Sequence, residues 1–188
     1  MPRTFIAVDL NARIRNYLGG ITQELGKYLS KGDVRWLDPD KIHLTLRFLG
    51  ETDKDKLELI YGIIGESASQ CSPFDLELGK LGCFPNANRP RVIWVGFRTD
   101  SDSLYSLQGS LEKKIVNLGW KPEGRKFHPH LTLGRVKKPP AVVKAQLPWG
   151  REVSDRRIAV NAVLLYESTL KPAGAEYRVL HTGQLSYQ

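Results

Sequence analysis

Apolar residues recur along this chain with two different spacings, which predict an alternation of strands and amphipathic helices. Asn11 is placed to cap the first helix, and Gly32 is placed to end it. The apolar face of that helix comprises Ile14, Leu18, Ile21, Leu25 and Leu29. The same spacing predicts a second helix that starts at a capping box over residues 52–55 and a third that runs from Leu104 to Gly119.

Strands are predicted where short apolar runs or alternating residues are bounded by turn-forming residues. They cover Phe5–Leu10, Val34–Leu37, Ile42–Leu49, Phe74–Leu78, Arg91–Phe97, Ile158–Tyr166 and Tyr177–His181. A short helix is expected over residues 141–147, after Pro139 and Pro140. Strands and helices of this length predict a globular domain with a substantial core.

The predicted strand Ile42–Leu49 and a second predicted strand that follows the third helix contain the same four-residue motif. His43-Leu44-Thr45-Leu46 recurs as His130-Leu131-Thr132-Leu133, 87 residues later. Because side chains at i and i+2 of a strand share a face, each motif points one imidazole and one hydroxyl to one side and its leucines to the other. A pocket between two such strands would hold two groups for proton transfer and two hydroxyls that can bind an oxyanion.

The spacing of 87 residues extends beyond the motif. It also relates Ile6 to Ile93 and Val8 to Val95, so a strand, a helix, a short strand and a motif strand recur in the same order. This repeat predicts a single domain over residues 1–188, made of two similar, intertwined lobes that face each other. A cleft between the lobes would bring the two histidines together.

Charge and cysteine content narrow the class of protein. The 188 residues carry 28 Lys and Arg against 20 Asp and Glu, a net charge of +8, which favours a polyanionic partner such as RNA or simply a soluble basic surface. Cys71 and Cys83 fit reduced thiols better than a disulfide framework. Neither a signal region nor an apolar run of membrane length is present, so we expect a cytoplasmic protein that does not contact a membrane.

The paired motifs fit phosphate ester chemistry. One neutral imidazole can take a proton from water while the other, charged, protonates the leaving oxygen, and neither step requires a metal or a cofactor. Arg135 could add a positive charge beside the second motif, although it could equally be a surface residue. Arg47 could contact a phosphate, and Phe48, expected on the same side as His43, could stack on a base or belong to the core.

Other interpretations of the histidines are weaker. A lone histidine on a half-buried strand is by default a structural residue, but the duplication of the motif argues against that interpretation for His43 and His130. His128 and His130 form a His-x-His pair that could be half of a metal site, yet no carboxylate or cysteine ligand is recognisable beside it. We therefore expect no bound metal, and the sequence reveals no partner for His181.

At these residues the chain resembles the two-histidine (2H) phosphoesterase superfamily, and within it the RNA 2',3'-cyclic phosphodiesterases once described as 2'-5' RNA ligases. The resemblance rests on residues 42–50 and 129–135 around the two motifs, and on residues 91–96. It implies an α+β fold with two lobes, each an antiparallel sheet with helices outside, and an active cleft between the sheets.

The resemblance also implies an activity and residue roles. The expected reaction is metal-independent opening of a terminal RNA 2',3'-cyclic phosphate to a 2'-phosphomonoester, with His43 as proton donor, His130 as proton acceptor, and Thr45 and Thr132 as phosphate ligands. The expected partner is RNA with a cyclic phosphate end, of which tRNA fragments are one candidate, bound by a monomer. The segment 137–153 is irregular and could alter how RNA reaches the site.

Two alternatives stay open from the sequence. The same groups can join a 2',3'-cyclic phosphate to a 5'-hydroxyl, which would make the protein a 2'-5' RNA ligase. A non-catalytic module that holds RNA ends is the alternative from another class, although a binder needs positive charge more than titrating imidazoles. A pseudo-symmetric site leaves the acid and base roles interchangeable, and only the resemblance orders them.

Overall fold

The strands of this protein form one antiparallel arrangement with helices packed outside it. The computed structural model describes residues 1–98, 101–154, 156–172 and 174–187. Its strands are β1 (Arg3–Val8), β2 (Val34–Trp36), β3 (Leu44–Glu51), β4 (Phe74–Phe84), β5 (Val92–Phe97), β6 (Leu131–Val136), β7 (Arg157–Val160), β8 (Ala162–Lys171) and β9 (Gly174–Gln184). Its helices are α1 (Ala12–Gly26), α2 (Lys54–Ser69), α3 (Asp102–Asn117) and α4 (Pro139–Lys144).

The strand order is β7-β4-β5-β6-β3-β1-β8-β9, and β2 pairs with β6 beside this path. The two predicted sheets correspond to the strands on either side of the β6–β3 boundary in this order. The two groups of strands, the halves of the sheet, are joined there by the single residue pair Leu44 and Leu131. The α+β class and the antiparallel pairing are thereby confirmed. The cleft lies where the two halves meet, because both motifs are at this junction.

Helices cover the face of the sheet opposite the cleft. Helix α1 contacts β6, although it follows β1 in the chain, and α3 contacts β3, although it follows β5. Helix α2 packs against β8, β9 and α3. The apolar faces of these helices join the leucines of both motifs in one buried cluster. This packing fixes the strands that present the motifs.

Several local predictions are confirmed and others are wrong. The Asn11 side chain accepts a hydrogen bond from the backbone N–H of Ile14, as a helix cap does. The capping box at the start of α2 is wrong, because Asp53 makes no capping bond, and the Thr52 hydroxyl instead bonds Thr4 and the Gly50 carbonyl. The single strand predicted over residues 158–166 is two strands, which turn from the β4 edge to β1 at position 161.

None of the helices in the described ranges has the length and apolar composition needed to cross a membrane.

Candidate active site

A cleft of about 560 Å³ opens at the junction of the two sheet halves, and it contains both motif histidines and both motif threonines. His43 and His130 immediately precede β3 and β6, and Thr45 and Thr132 lie inside these strands. The cleft is lined by Arg3, Thr4, Phe5, Arg35, Trp36, Leu37, Asp38, Lys41, His43, Thr45, Phe48, Gly50, His130, Thr132, Arg135, Ser168, Leu170, Gly174, Ala175 and Tyr177. The structure thus brings together four residues that are far apart in the chain.

The pairing of the motif leucines explains how the four polar residues meet. Leu44 and Leu131 are antiparallel partners and are 1% and 0% exposed, so they anchor the junction in the core. One step along each strand from this pair, the antiparallel register places His43 beside Thr132 and His130 beside Thr45. Each imidazole is therefore close to the hydroxyl of the other motif.

A β-bulge in each motif strand decides which later residues reach the cleft. The expected placement of Phe48 on the side of His43 does not follow from strict alternation, which would put Arg47 on the cleft side and Phe48 on the opposite side. The pairing of β1 with β3 instead skips Leu46, since Ala7 faces Thr45 and Ile6 faces Arg47. After this extra residue, each side chain faces the opposite side of the strand from the one that alternation predicts. Phe48 therefore lines the cleft and is 59% exposed.

The same bulge recurs in the second motif. Trp94 of β5 faces Thr132 and Ile93 faces Gly134, which leaves Leu133 as the extra residue. Arg135 consequently lines the cleft on the side of Thr132. Because the two bulges are 87 residues apart, Phe48 and Arg135 occupy equivalent places in the two halves.

Arg47 does not lie in the cleft, and the expectation that it contacts a phosphate there is not met. It is 5% exposed, and its Nε lies 2.7 Å from Glu112 Oε2 of α3. Its other nitrogens bind the Glu123 carboxylate and the Lys121 carbonyl. The bulge turns this arginine to the helical side, where the carboxylates neutralise its charge.

Both imidazoles are oriented by the backbone. His43 Nδ1 lies 2.9 Å from the Lys41 carbonyl oxygen, and His130 Nδ1 lies 2.7 Å from the His128 carbonyl oxygen. A carbonyl only accepts hydrogen bonds, so Nδ1 carries the proton and donates in each ring. Nε2 remains for proton exchange with a ligand in both imidazoles, which suits them as a general acid and a general base.

Aromatic rings enclose the His43 imidazole. Phe5 stacks on it at 4.7 Å between ring centroids, and Tyr177 meets it edge-on at 5.3 Å. Burial lowers the pKa of His43 to about 4, and the hydrogen bond to the Lys41 carbonyl only partly opposes this effect. His43 is therefore neutral near pH 7.

His130 is held by a different aromatic pair. Phe84 lies edge-on to it at 5.0 Å, and Trp94 lies at 6.2 Å. Burial lowers its pKa as well, while the hydrogen bond to the His128 carbonyl opposes the shift. The lowered pKa values favour the neutral form of both imidazoles, and an anion beside either ring would favour the charged form.

The charges around the cleft favour such an anion. Its lining includes Arg3, Arg35, Lys41 and Arg135 against the single carboxylate of Asp38. This excess of positive charge is suited to a phosphate group and to the backbone of a nucleic acid.

Of the two other histidines, His128 lies beside His130, with 6.2 Å between their ring centroids, whereas His181 lies outside the cleft. The His128 ring packs against Trp94 and Phe84 at 5.0 and 5.2 Å, and the His181 ring stacks on Tyr61 at 4.7 Å. Across the described ranges, no three His, Cys, Asp or Glu side chains converge as a metal site. Cys71 and Cys83 are free thiols.

Several cleft residues were not singled out from the sequence, among them Tyr177 and Arg35. Tyr177 belongs to the long strand β9, and Arg35 belongs to the three-residue strand β2. Neither stands in a motif or at a repeat position that would distinguish it, so no sequence signal marked them. Strand pairing alone brings them to the cleft.

Comparison with known proteins agrees with this geometry. The chain matches the family described as LigT like Phosphoesterase over residues 8–94 and 97–177. The RNA 2',3'-cyclic phosphodiesterase of Archaeoglobus fulgidus is 35% identical over 179 residues, which are 95% of this chain and 97% of that protein. The protein of the same name from Methanothermobacter thermautotrophicus is 33% identical over 177 residues, which are 93% of this chain and 94% of that protein.

Solved structures show the same fold. A protein of Thermus thermophilus superimposes with a TM-score of 0.82 at 28% identity, over 97% of each chain. E. coli LigT complexed with 3'-AMP superimposes with a TM-score of 0.81 at 27% identity, over 99% of each chain. Since the family match spans most of the chain and includes both motifs, this protein belongs to the LigT-like phosphoesterase family.

Proposed function

We propose that this protein is an RNA 2',3'-cyclic phosphodiesterase that opens the terminal cyclic phosphate to a 2'-phosphomonoester by paired-histidine catalysis. The observation that supports it most is the convergence of His43, His130, Thr45 and Thr132 in one basic cleft. The names of the relatives, which align with almost the whole chain, support the same reaction. RNA with a cyclic phosphate end is thus the substrate.

In this mechanism His43 Nε2 donates a proton to the departing 3' oxygen, and His130 Nε2 takes a proton from the attacking water. Because burial lowers the pKa of His43, this donor gains its proton when the substrate binds. A phosphodiester anion beside the ring favours the charged imidazole, which raises the pKa of His43. Substrate binding and proton uptake are therefore coupled in this site.

The other cleft residues have supporting roles. The hydroxyls of Thr45 and Thr132 donate hydrogen bonds to the non-bridging oxygens, where negative charge grows in the transition state. Arg135 adds a positive charge on the same side of the cleft, and exposed Phe48 offers a ring on which a base can stack. Arg47 has no part in substrate binding, since its guanidinium is paired with Glu112 and Glu123.

The wider setting is part of the same proposal. We infer that the chain is one domain of two intertwined lobes related by the offset of 87 residues, that it acts as a cytoplasmic monomer, and that tRNA fragments are among its substrates. The crossing of α1 and α3 to opposite halves of the sheet supports the intertwined arrangement. The matching bulges at Leu46 and Leu133 support the offset.

The test is digestion of an RNA that ends in a 2',3'-cyclic phosphate, in EDTA, by the wild type, His43→Ala and His130→Ala, with 2'- and 3'-phosphate products resolved. We expect 2'-phosphate from the wild type and a loss of about 10²- to 10⁴-fold in each variant. His181→Ala is the matched control, because this histidine stacks on Tyr61 outside the cleft, and it should retain activity.

Several results would change the assignment. An intact substrate with the wild type would refute the hydrolase, and unchanged RNA binding by His43→Ala would then favour a module that only holds RNA ends. A longer product on addition of a 5'-hydroxyl RNA would show 2'-5' ligation. Loss of the reaction in EDTA would contradict the metal-independent mechanism.

A further inference from the structure

Two arginines face each other directly across neighbouring strands of the cleft. Arg35 of β2 is the antiparallel partner of Arg135 of β6, and both line the cleft. The Cβ atoms of directly opposed residues are about 4.5–5.5 Å apart in such a pair. The two guanidinium groups therefore lie in the same part of the cleft.

This pair lacks the neutralisation found at other arginines. In the part of the chain that the structure describes, neither Arg35 nor Arg135 forms an ion pair with a carboxylate, whereas Arg47 and Arg98 each pair with two. Like charges placed directly opposite each other in a sheet are destabilising. An arrangement that costs stability without a partner in the protein is suited to binding an anion.

The cyclic phosphate does not account for both charges. That phosphate is a single anion, and the proposed function places it beside the imidazoles with the two threonine hydroxyls as ligands. Arg135 is three residues beyond Thr132, about 7–10 Å along the strand, and Arg35 is on a further strand. The arginine pair is thus placed for a second anion.

Tyr177 connects the part of the cleft that holds the histidines with the part that holds the arginine pair. Its ring meets the His43 ring edge-on at 5.3 Å. It lines the same cleft as Arg35 and Arg135. A nucleoside whose cyclic phosphate lies between the histidines would extend along this tyrosine toward the arginines.

We propose that Arg35 and Arg135 form a second anion site, which binds the phosphodiester on the 5' side of the terminal nucleoside. The proposal rests on the proposed function for the identity of the first phosphate. It makes Arg35 a specificity-determining residue, which favours an RNA end over an isolated cyclic nucleotide.

Three substrates and four proteins test this site. The substrates are adenosine 2',3'-cyclic phosphate with a 5'-hydroxyl, the same nucleotide with a 5'-phosphate, and a dinucleotide ending in the cyclic phosphate. The proteins are the wild type, Arg35→Gln, Arg35→Lys and the control Arg157→Gln, which removes an exposed strand arginine outside the cleft.

For the wild type, we expect the kcat/KM of either substrate with a second phosphate to be roughly ten times that of the 5'-hydroxyl nucleotide. This ratio of kcat/KM values measures the contribution of the second phosphate. Arg35→Gln should bring this ratio close to one, Arg35→Lys should restore part of it, and Arg157→Gln should keep it. An equal fall with all three substrates, an unchanged ratio, or a gain confined to the dinucleotide would overturn the proposal. Arg35→Gln should melt at or above the wild-type temperature, and a large fall would make Arg35 a structural residue instead.

A binding measurement separates this proposal from the proposed function. Calorimetry with adenosine 2',5'-bisphosphate and adenosine 2'-monophosphate needs no turnover. Tighter binding of the bisphosphate that is lost in Arg35→Gln would support the anion site even if the wild type hydrolysed nothing, in which case only the hydrolase would fail. Equal affinities for the two nucleotides would refute the site whatever the activity.

Discussion

Replacement of Arg47 by methionine tests whether this arginine is a structural residue. Its side chain is 5% exposed, and its partners Glu112 and Glu123 are 22% and 44% exposed. Removing one partner of a fully buried ion pair costs about 3–5 kcal/mol, because the other charge stays buried without compensation. Water reaches both glutamates here, so we expect a smaller loss, about 2–3 kcal/mol of unfolding free energy.

The position of Arg47 adds an effect on activity. It binds the Lys121 carbonyl, and the Trp120 side chain donates to the Leu49 carbonyl, so the end of β3 is tied to the segment that leads to His130. Loosening this connection should lower kcat more than it raises KM, because the spacing of the two imidazoles would vary while the phosphate ligands stay in place.

The assay is urea unfolding at pH 7, followed by tryptophan fluorescence, for the wild type, Arg47→Met and Arg98→Met. Arg98 is the matched control, since it also pairs with two glutamates but is 41% exposed, and its replacement should cost less than about 1 kcal/mol. The double variant Arg47→Met, Glu112→Gln should recover part of the loss. A loss for Arg47→Met no larger than for Arg98→Met would refute this reasoning.

Three further predictions concern the cleft. Between pH 6.5 and about 4 the unfolded chain protonates His43 before the folded protein does, so the free energy of unfolding should fall by about 1–3 kcal/mol as the pH falls. The urea midpoint of His43→Asn should fall less steeply with pH than that of the wild type. Equal slopes of urea midpoint against pH would contradict the low pKa. A Cβ at Gly82 would lie 2.3 Å from the Trp94 ring, so Gly82→Ala should destabilise the protein by about 1–3 kcal/mol. Because Trp94 lies beside His130, the same variant should lower kcat, whereas the control Gly62→Ala, whose Cβ meets no atom within 4 Å, should change neither property. Equal melting temperatures of the two variants would refute the clash. Phe48→Ala should raise KM for RNA roughly fivefold or more with little change in melting temperature, because the ring is exposed and we propose that it stacks on a base. An unchanged KM would remove Phe48 from the substrate site.

Much of the site was predictable because its residues are close in sequence to a repeated motif. The alternation within His43–Thr45 places the imidazole and the hydroxyl on one side and Leu44 in the core, and this holds because it depends only on local strand geometry. The amphipathic spacing of α1 and α3 was predictable for the same reason. Helix α1 nevertheless ends at Gly26, before the predicted stop at Gly32.

Predictions failed where the partner strand decides the outcome. The bulge at Leu46 exists only in the register of β3 against β1, so the sequence of β3 alone does not reveal that Arg47 leaves the cleft. The division of residues 158–166 into β7 and β8 likewise depends on which edge each part pairs with. A single strand pattern contains no information about such pairing.

The sequence by itself determined the secondary structure pattern, the paired His-x-Thr motifs, their repeat and the resemblance to a family, because each is a local pattern or a match along the chain. Only the tertiary structure decided that a bulge brings Phe48 to the cleft, that Arg135 faces it, that Arg47 is neutralised among helices, and that Arg35 and Tyr177 join the site. The physical reason is that strand register and bulges are set between segments distant in sequence. The placement of side chains beyond the motif follows from that pairing.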